Sequence, residues 1–160
     1  MNDRQNDILR IRPQIKKHQT FETMSAEERF QNTTLRPVLK LQNPILLASF
    51  VNYAIKHKGV FFDIPTEKQL SYIENAIHKD QKFRNALKGI VIGQFTMEEY
   101  TVYTQNSSKL NKRMMNLVIT RLQDQLQLLV PQTLSKVGYC LLYTSPSPRD
   151  YAASRMPSSA

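Results

Sequence analysis

The stretch that decides the fold is TLRPVLKLQNPILLASFVNYAIKHK, residues 34–58. Its apolar residues recur at steps of three and four, the spacing that places them on one face of an α-helix. Pro37 fits a first-turn position, and Asn43-Pro44 allows either a new helix start or a kink. Gly59 directly after the stretch predicts the helix end. The apolar positions are Leu35, Val38, Leu39, Leu41, Leu46, Leu47, Phe50, Val51, Ala54 and Ile55.

Further helix starts lie on both sides of this stretch. Residues 25–28 (SAEE), 66–69 (TEKQ) and 96–99 (TMEE) fit the capping box, in which two side chains satisfy free backbone amides at a helix start. Asp80 and Ser108 predict two more N-caps, at the start of helices that reach about Phe95 and about Leu129, before Pro131.

One segment leaves an alternative to helix. Residues 90–92 (IVI) could form a short strand, but the chain offers no obvious partner strand, so helix is favoured. Residues 60–65 (VFFDIP) are expected to be a hydrophobic connection that packs back on the core. The prediction is an all-α fold, a compact bundle of about five helices with short loops and an N-terminal arm.

The domain prediction has four parts. Residues 1–24 are expected to be a polar arm with one short helical turn near Asp7 to Arg12, and residues 25–130 a helical domain. Residues 131–139 are expected to be a truncated native C-terminus. Residues 140–160 are expected to be artefact, because CLLYTSPSPRD (140–150) and SRMPSSA (154–160) resemble translated sequencing-library adapters. Under that interpretation the chain is metagenomic, and its native sequence beyond residue 138 is unknown.

Composition excludes several classes of protein. The 160 residues include one cysteine, which excludes a disulfide scaffold and an all-cysteine zinc site. The longest apolar run, 45–55, is too short to span a bilayer, and the N-terminus lacks an apolar signal core. The net charge is +9, or +8 without the adapter-like tail. A soluble, basic, cytoplasmic protein is therefore expected.

Motifs for catalysis or cofactor binding are absent from the sequence. It has no glycine-rich phosphate loop, no His-Glu-x-x-His and no Gly-x-Ser-x-Gly. Glu74 and His78 lie one helical turn apart and are expected to form a surface ion pair rather than a metal site. His57 suits a helix C-terminus, and His18 lies in a basic arm. No catalytic residue, metal or cofactor is predicted.

Four acidic and phenolic side chains have structural interpretations. Glu98 and Glu99 are expected to be first-turn carboxylates that suit the helix dipole, not an acid/base pair. Tyr100 and Tyr103 are expected to be half-buried packing groups rather than catalysts.

The basic charge is the global feature that points to a partner. Lys109, Lys112 and Arg113 lie close together on the last helix and form a candidate surface for anions or nucleic acid, with a solvated face as the alternative. Gly89 and Gly93 lie four residues apart and are predicted to let a neighbouring helix approach closely. A second local excess of basic residues comprises Lys79, Lys82, Arg84 and Lys88.

Three segments carry a resemblance to a known family. They are residues 28–43 (ERFQNTTLRPVLKLQN), 82–100 (KFRNALKGIVIGQFTMEEY) and 111–115 (NKRMM). Across roughly residues 5–130 the chain resembles small uncharacterised helical proteins of Bacteroidetes, some of which are labelled glyoxalase. The label implies a lyase-type enzyme, yet the strands and the metal-binding His and Glu of glyoxalases have no counterpart in this sequence. No catalytic residue is therefore transferred.

These observations define three functional hypotheses. The first is a soluble helical binding or interaction module with a protein partner or a second copy of the chain. The second is a glyoxalase-labelled lyase-type enzyme, as the resemblance implies. The third is weak nucleic-acid binding through the basic face of the last helix.

Overall fold

The computed structural model describes residues 3–15 and 23–131, and the ordered elements within them are all helical. The predicted all-α bundle is therefore confirmed. None of the described helices is long and apolar enough to cross a membrane. The α-helices are α1 (Arg4–Ile11), α2 (Ala26–Phe30), α3 (Arg36–Lys56), α4 (Thr66–Lys79), α5 (Gln81–Ile92), α6 (Met97–Gln105) and α7 (Ser107–Gln123).

Helix α3 forms the centre of the bundle and contacts both α5 and α7. Its Phe50 is fully buried and packs edge-to-face against Phe61, with ring centroids 5.0 Å apart. Phe61 belongs to a 3-10 turn, Val60–Asp63, so the predicted hydrophobic connection does pack back on the core. Buried apolar area of this kind is the main favourable contribution to folding.

Helices α2 and α3 are joined by a π-helical turn, Gln31–Leu35. Pro37 is the second residue of α3, after Arg36, and Pro44 lies inside α3, so Asn43-Pro44 does not begin a new helix. A proline ring clashes with the carbonyl four residues earlier in a regular α-helix. The wider π turn is therefore well placed to accommodate Pro37.

Three of the five predicted helix starts are confirmed. Both capping-box bonds are present at 25–28 and at 96–99, and the Asp80 carboxylate accepts a hydrogen bond from the Phe83 amide at 3.1 Å. The box at 66–69 is wrong, because α4 begins one residue earlier than predicted, with Pro65 as its N-cap. The Gln69 side chain instead donates to the Phe61 carbonyl at 3.0 Å.

The last helix also differs from its prediction at both ends. Its N-cap is Asn106, with no side-chain cap, so the predicted cap at Ser108 is wrong. Helix α7 ends at Gln123 rather than near Leu129, and a 3-10 turn, Leu126–Leu128, follows it. Leu129 is nevertheless buried in the core.

The predicted close approach at the glycine pair is not found. A Cβ added at Gly89 would meet no heavy atom within 4 Å, and a Cβ at Gly93 would meet the Gly89 carbonyl at 3.1 Å. Both glycines are exposed, because the buried face of α5 carries Phe83, Leu87 and Val91 instead. The spacing of residues along a helix does not by itself identify which face of that helix is covered by its neighbours.

Helix α1 is longer than the predicted turn, and it packs on the domain through both apolar and polar contacts. Ile8 is buried, and Arg12 forms an ion pair with Glu99 in which the closest atoms are 2.6 Å apart. Both side chains of this pair are largely buried, at 7% and 18% exposed. The Thr34 hydroxyl and the Thr96 amide donate to the same carboxylate at 2.9 Å each.

The environment of Glu99 predicts acid sensitivity. Burial alone would raise the pKa of Glu99, but hydrogen bonds from Arg12, the Thr96 backbone and Thr34 hold the pKa below its ordinary value of 4.5. A carboxylate with a lowered folded-state pKa stabilises the fold above its unfolded-state pKa, and this contribution is lost as the pH falls through the folded-state value.

We expect Glu99→Gln to lower the free energy of unfolding at pH 7 by about 3 kcal/mol, because Arg12 then lacks its buried counter-charge. Urea unfolding between pH 7 and pH 3 measures this difference, which should shrink below pH 4.5 as the wild-type carboxylate becomes protonated. Glu67→Gln, at an exposed first-turn position of α4, is the matched control. A difference between wild type and Glu99→Gln that stays constant down to pH 3 would contradict this account.

The open space at Gly89 leads to a second stability prediction. Gly89→Ala should raise the free energy of unfolding by about 0.5–1 kcal/mol, because alanine loses less backbone entropy in a helix. Gly59→Ala should lower it, because Gly59 adopts a left-handed φ of 66° at the end of α3. Thermal unfolding of both variants tests this. Destabilisation by Gly89→Ala would restore a packing role for that glycine.

Candidate functional site

A groove runs along α7, where α7 faces the π turn and the start of α3. It consists of two adjoining cavities of about 480 and 290 Å³ that share Leu117 and Thr120. We call this feature the basic groove. The larger cavity is further lined by Glu27, Gln31, Lys109, Lys112, Arg113 and Asn116, and the smaller by Arg36, Leu39, Arg121, Asp124 and Gln125.

The basic groove brings together the predicted anion surface. Lys109, Lys112 and Arg113 all line its larger cavity. Lys109 and Lys112 are exposed and form no hydrogen bond or ion pair with other residues of 3–15 and 23–131. Their charges therefore remain available to a partner in the part of the chain that the structure describes.

Three arginines of the groove are held by neutral amide oxygens rather than by carboxylates. Arg113 donates to the Gln31 side chain at 2.8 Å, and Arg36 donates through Nε to the Asn32 side chain at 3.1 Å. Both of these amides belong to the π turn. The neutral partners orient the guanidinium groups without cancelling their charge.

The third arginine is positioned by a pair of amide side chains. Arg121 donates to the Asn43 side-chain oxygen at 3.4 Å. Asn43 and Gln125 exchange two hydrogen bonds, at 2.9 and 2.8 Å, and Gln125 also donates to the Arg121 carbonyl at 2.9 Å. This network links α3 to the last turn of α7 and fixes the end of the basic groove.

Positive charge exceeds negative charge at the end of the basic groove that Arg36 and Arg121 line. Burial, followed by the nearby charge of Arg36, lowers the pKa of Arg121, while Asp124 raises it. Arginine remains protonated at neutral pH despite such a shift. None of the groove arginines forms an ion pair with another residue of 3–15 and 23–131.

Arg36 and Arg121 are members of this site that the sequence pattern did not indicate. Arg121 follows Arg113 by eight residues and could have been found by extending the polar stripe of α7 by two turns. Arg36 lies 85 positions before Arg121 in the chain and belongs to α3 rather than α7. No local pattern connects it to α7.

The second basic cluster lies outside the groove. Arg84 donates to the His78 carbonyl at 2.7 Å and to the Gln81 side chain at 2.9 Å, so it closes the end of α4 beside the start of α5. Lys79 and Lys82 are exposed near the same junction. These residues add to the net charge but line none of the groove.

The histidines do not assemble a metal site among the described residues. No group of three His, Cys, Asp or Glu side chains with suitable geometry is present there. The predicted ion pair between Glu74 and His78 is wrong, because no nitrogen–oxygen pair within 4.0 Å joins these exposed residues. His57 does lie at the C-terminus of α3 and stacks on Tyr53 at 4.0 Å. His18, and the adapter-like residues 140–160, lie outside the described residues.

The remaining candidates are the acidic and phenolic side chains of α6. Glu98 and Glu99 do lie in the first turn of α6, and Glu99 makes the ion pair that holds α1. Tyr103 is buried, and its hydroxyl donates to the Asn111 side chain at 2.5 Å. Tyr100 is more exposed, at 44%.

Comparison of the chain with protein-family models, with curated proteins and with solved structures finds no significant match. The resemblance to the helical proteins of Bacteroidetes therefore stays a prediction, and the site's own geometry carries the functional argument.

Proposed function

We propose that this chain is a helical binding module that uses the basic groove to bind the phosphate backbone of nucleic acid. The observation that carries the proposal is the set of groove arginines held by neutral amides, together with two lysines that pair with no other described residue. The proposal joins two of the predicted functions, the interaction module and the nucleic-acid binder. A cytoplasmic location is part of it.

The length of the groove suits an extended polyanion. From Lys109 to Arg121, α7 rises about 18 Å at 1.5 Å per residue. Double-stranded DNA carries about one phosphate charge per 1.7 Å of its axis, so about ten charges lie within that length. Cations at both ends of the groove can therefore contact phosphates of one nucleic-acid molecule.

Two features favour nucleic acid over an acidic protein segment. Further basic residues lie at the junction of α4 and α5, and the net charge of +9 attracts a long polyanion from a distance. The groove is also open and lacks aromatic side chains among its lining residues, which suits contact with a backbone rather than stacking of bases.

An enzymatic role of the glyoxalase kind stays an implication of the resemblance alone. The proposed binding function assigns no residue to catalysis and needs no cofactor. Its specificity is expected to be low, because phosphate contacts position a protein without reading base sequence.

The test is fluorescence anisotropy with a short single-stranded and a short double-stranded oligonucleotide, at salt concentrations from about 50 to about 200 mM. The logarithm of affinity should fall linearly with the logarithm of salt concentration. The double variant Lys112→Glu with Arg113→Glu should weaken binding and reduce the steepness of that line by about two, one for each lost phosphate contact.

The matched control is Lys68→Glu with Arg29→Glu, two exposed cations outside the basic groove. It should retain most of the wild-type affinity. An equal loss of oligonucleotide affinity in both double variants would mean that binding depends on net charge alone. That result would overturn the assignment of binding to the basic groove. Equal or tighter binding of polyglutamate would assign the groove to an acidic protein segment instead.

A further inference from the structure

We infer that Arg36 and Arg121 form a subsite for a terminal phosphate group at one end of the basic groove. This inference rests on the proposed function and deepens it, because it distinguishes a phosphate at a chain end from the diesters along the backbone. The subsite is the smaller cavity, of about 290 Å³, where the groove reaches the last turn of α7.

The two arginines that line the cavity belong to different helices. Arg36 projects from the start of α3 and Arg121 from the last turn of α7. Both are partly buried, and neither forms an ion pair within the described residues. Like charges held close together in a partly buried site repel each other, so an anion bound between them would stabilise the arrangement.

The side chains are held in place before any ligand arrives. Asn32 holds Arg36 through a hydrogen bond of 3.1 Å, and Asn43 accepts a longer hydrogen bond, of 3.4 Å, from Arg121. The remaining N–H donors are available to the cavity, because each guanidinium carries five. Pre-oriented donors lose little entropy on binding, which raises affinity.

The donor chemistry favours a phosphate monoester. Planar guanidinium groups match phosphate oxygens with paired hydrogen bonds. A terminal phosphate monoester carries a charge of about −1.5 to −2 at pH 7, more than the single charge of a diester. Two arginines therefore distinguish the terminal group from the backbone by charge.

Two neighbours limit the strength of this subsite. Asp124 lines the same cavity and is exposed, so it reduces the positive potential without pairing directly with either arginine. The C-terminal carbonyls of α7 also carry partial negative charge. Gln125 donates to one of these, the Arg121 carbonyl.

The experiment compares oligonucleotides of one sequence that carry a 5′-phosphate, a 3′-phosphate or neither. We expect wild type to bind at least one phosphorylated form about tenfold more tightly than the unphosphorylated form, as charge-assisted hydrogen bonds of this kind provide. Arg36→Gln and Arg121→Gln should each bring this ratio close to one. Asp124→Asn should raise the ratio.

Matched variants separate the subsite from the rest of the groove. Lys112→Gln with Arg113→Gln should weaken binding of all three oligonucleotides while preserving the ratio, and Arg29→Gln should change neither quantity. Circular dichroism checks that each variant folds. If Arg121→Gln does not fold, Arg121→Lys replaces it, because lysine keeps the charge but lacks the planar fork, and it should lower the ratio.

Titration with inorganic phosphate, followed by NMR of the arginine Nε–H signals, distinguishes the possible failures. Oligonucleotide binding with a ratio of one would overturn the subsite and leave the proposed function standing. No oligonucleotide binding, but selective shifts of Arg36 and Arg121, would overturn the proposed function and assign the subsite to small phosphorylated molecules. Equal shifts at Arg29 would overturn the subsite.

Discussion

Burial of α3 is the constraint on which the rest of the structure depends. Its apolar side chains cover a broad arc of the helix surface rather than a narrow stripe, so one neighbouring helix cannot remove them all from water. Helices α5 and α7 and the turn that contains Phe61 contact it from several sides. The other elements therefore take their positions around α3, and the groove lies between α7 and the start of α3.

The π turn connects this packing to the candidate site. It joins α2 to α3 just before Pro37 and carries both Gln31 and Asn32. Those two side chains orient Arg113 and Arg36 on opposite sides of the groove. The π turn is well placed to relieve the backbone crowding that Pro37 causes. The same turn supplies hydrogen-bond acceptors that orient the arginines without cancelling their charge.

The arginines of this protein show how a neutral hydrogen-bond partner differs from an ionic one. Arg12 is neutralised by Glu99 and serves to attach α1, whereas Arg36 and Arg121 are held by Asn32 and Asn43 and keep their charge exposed to the cavity. The same side-chain chemistry is structural in the first case and suited to binding in the second. The difference lies in the partner, which is a carboxylate in the first case and a neutral amide in the second.

Local signals predicted much of the fold, because they act over a few residues. The apolar spacing of 34–58 predicted α3, and the capping boxes at 25–28 and 96–99 form as expected. Lys109, Lys112 and Arg113 were found as a candidate surface because they are near in sequence and lie on one helix. The exposed glycine pair of α5 shows the limit of such spacing, since it does not identify the covered face.

The amino-acid sequence by itself determined the helical class, most helix starts and the excess of positive charge. Those properties follow from residue type and from spacings of up to one or two helical turns. Only the tertiary structure decided that Arg36 faces Arg121, that Glu99 meets Arg12, and that Gln69 bonds to Phe61 instead of capping α4. Such contacts depend on how the helices pack around α3, because packing brings together side chains from separate segments. The sequence of one such segment does not indicate which residue of the other it will contact.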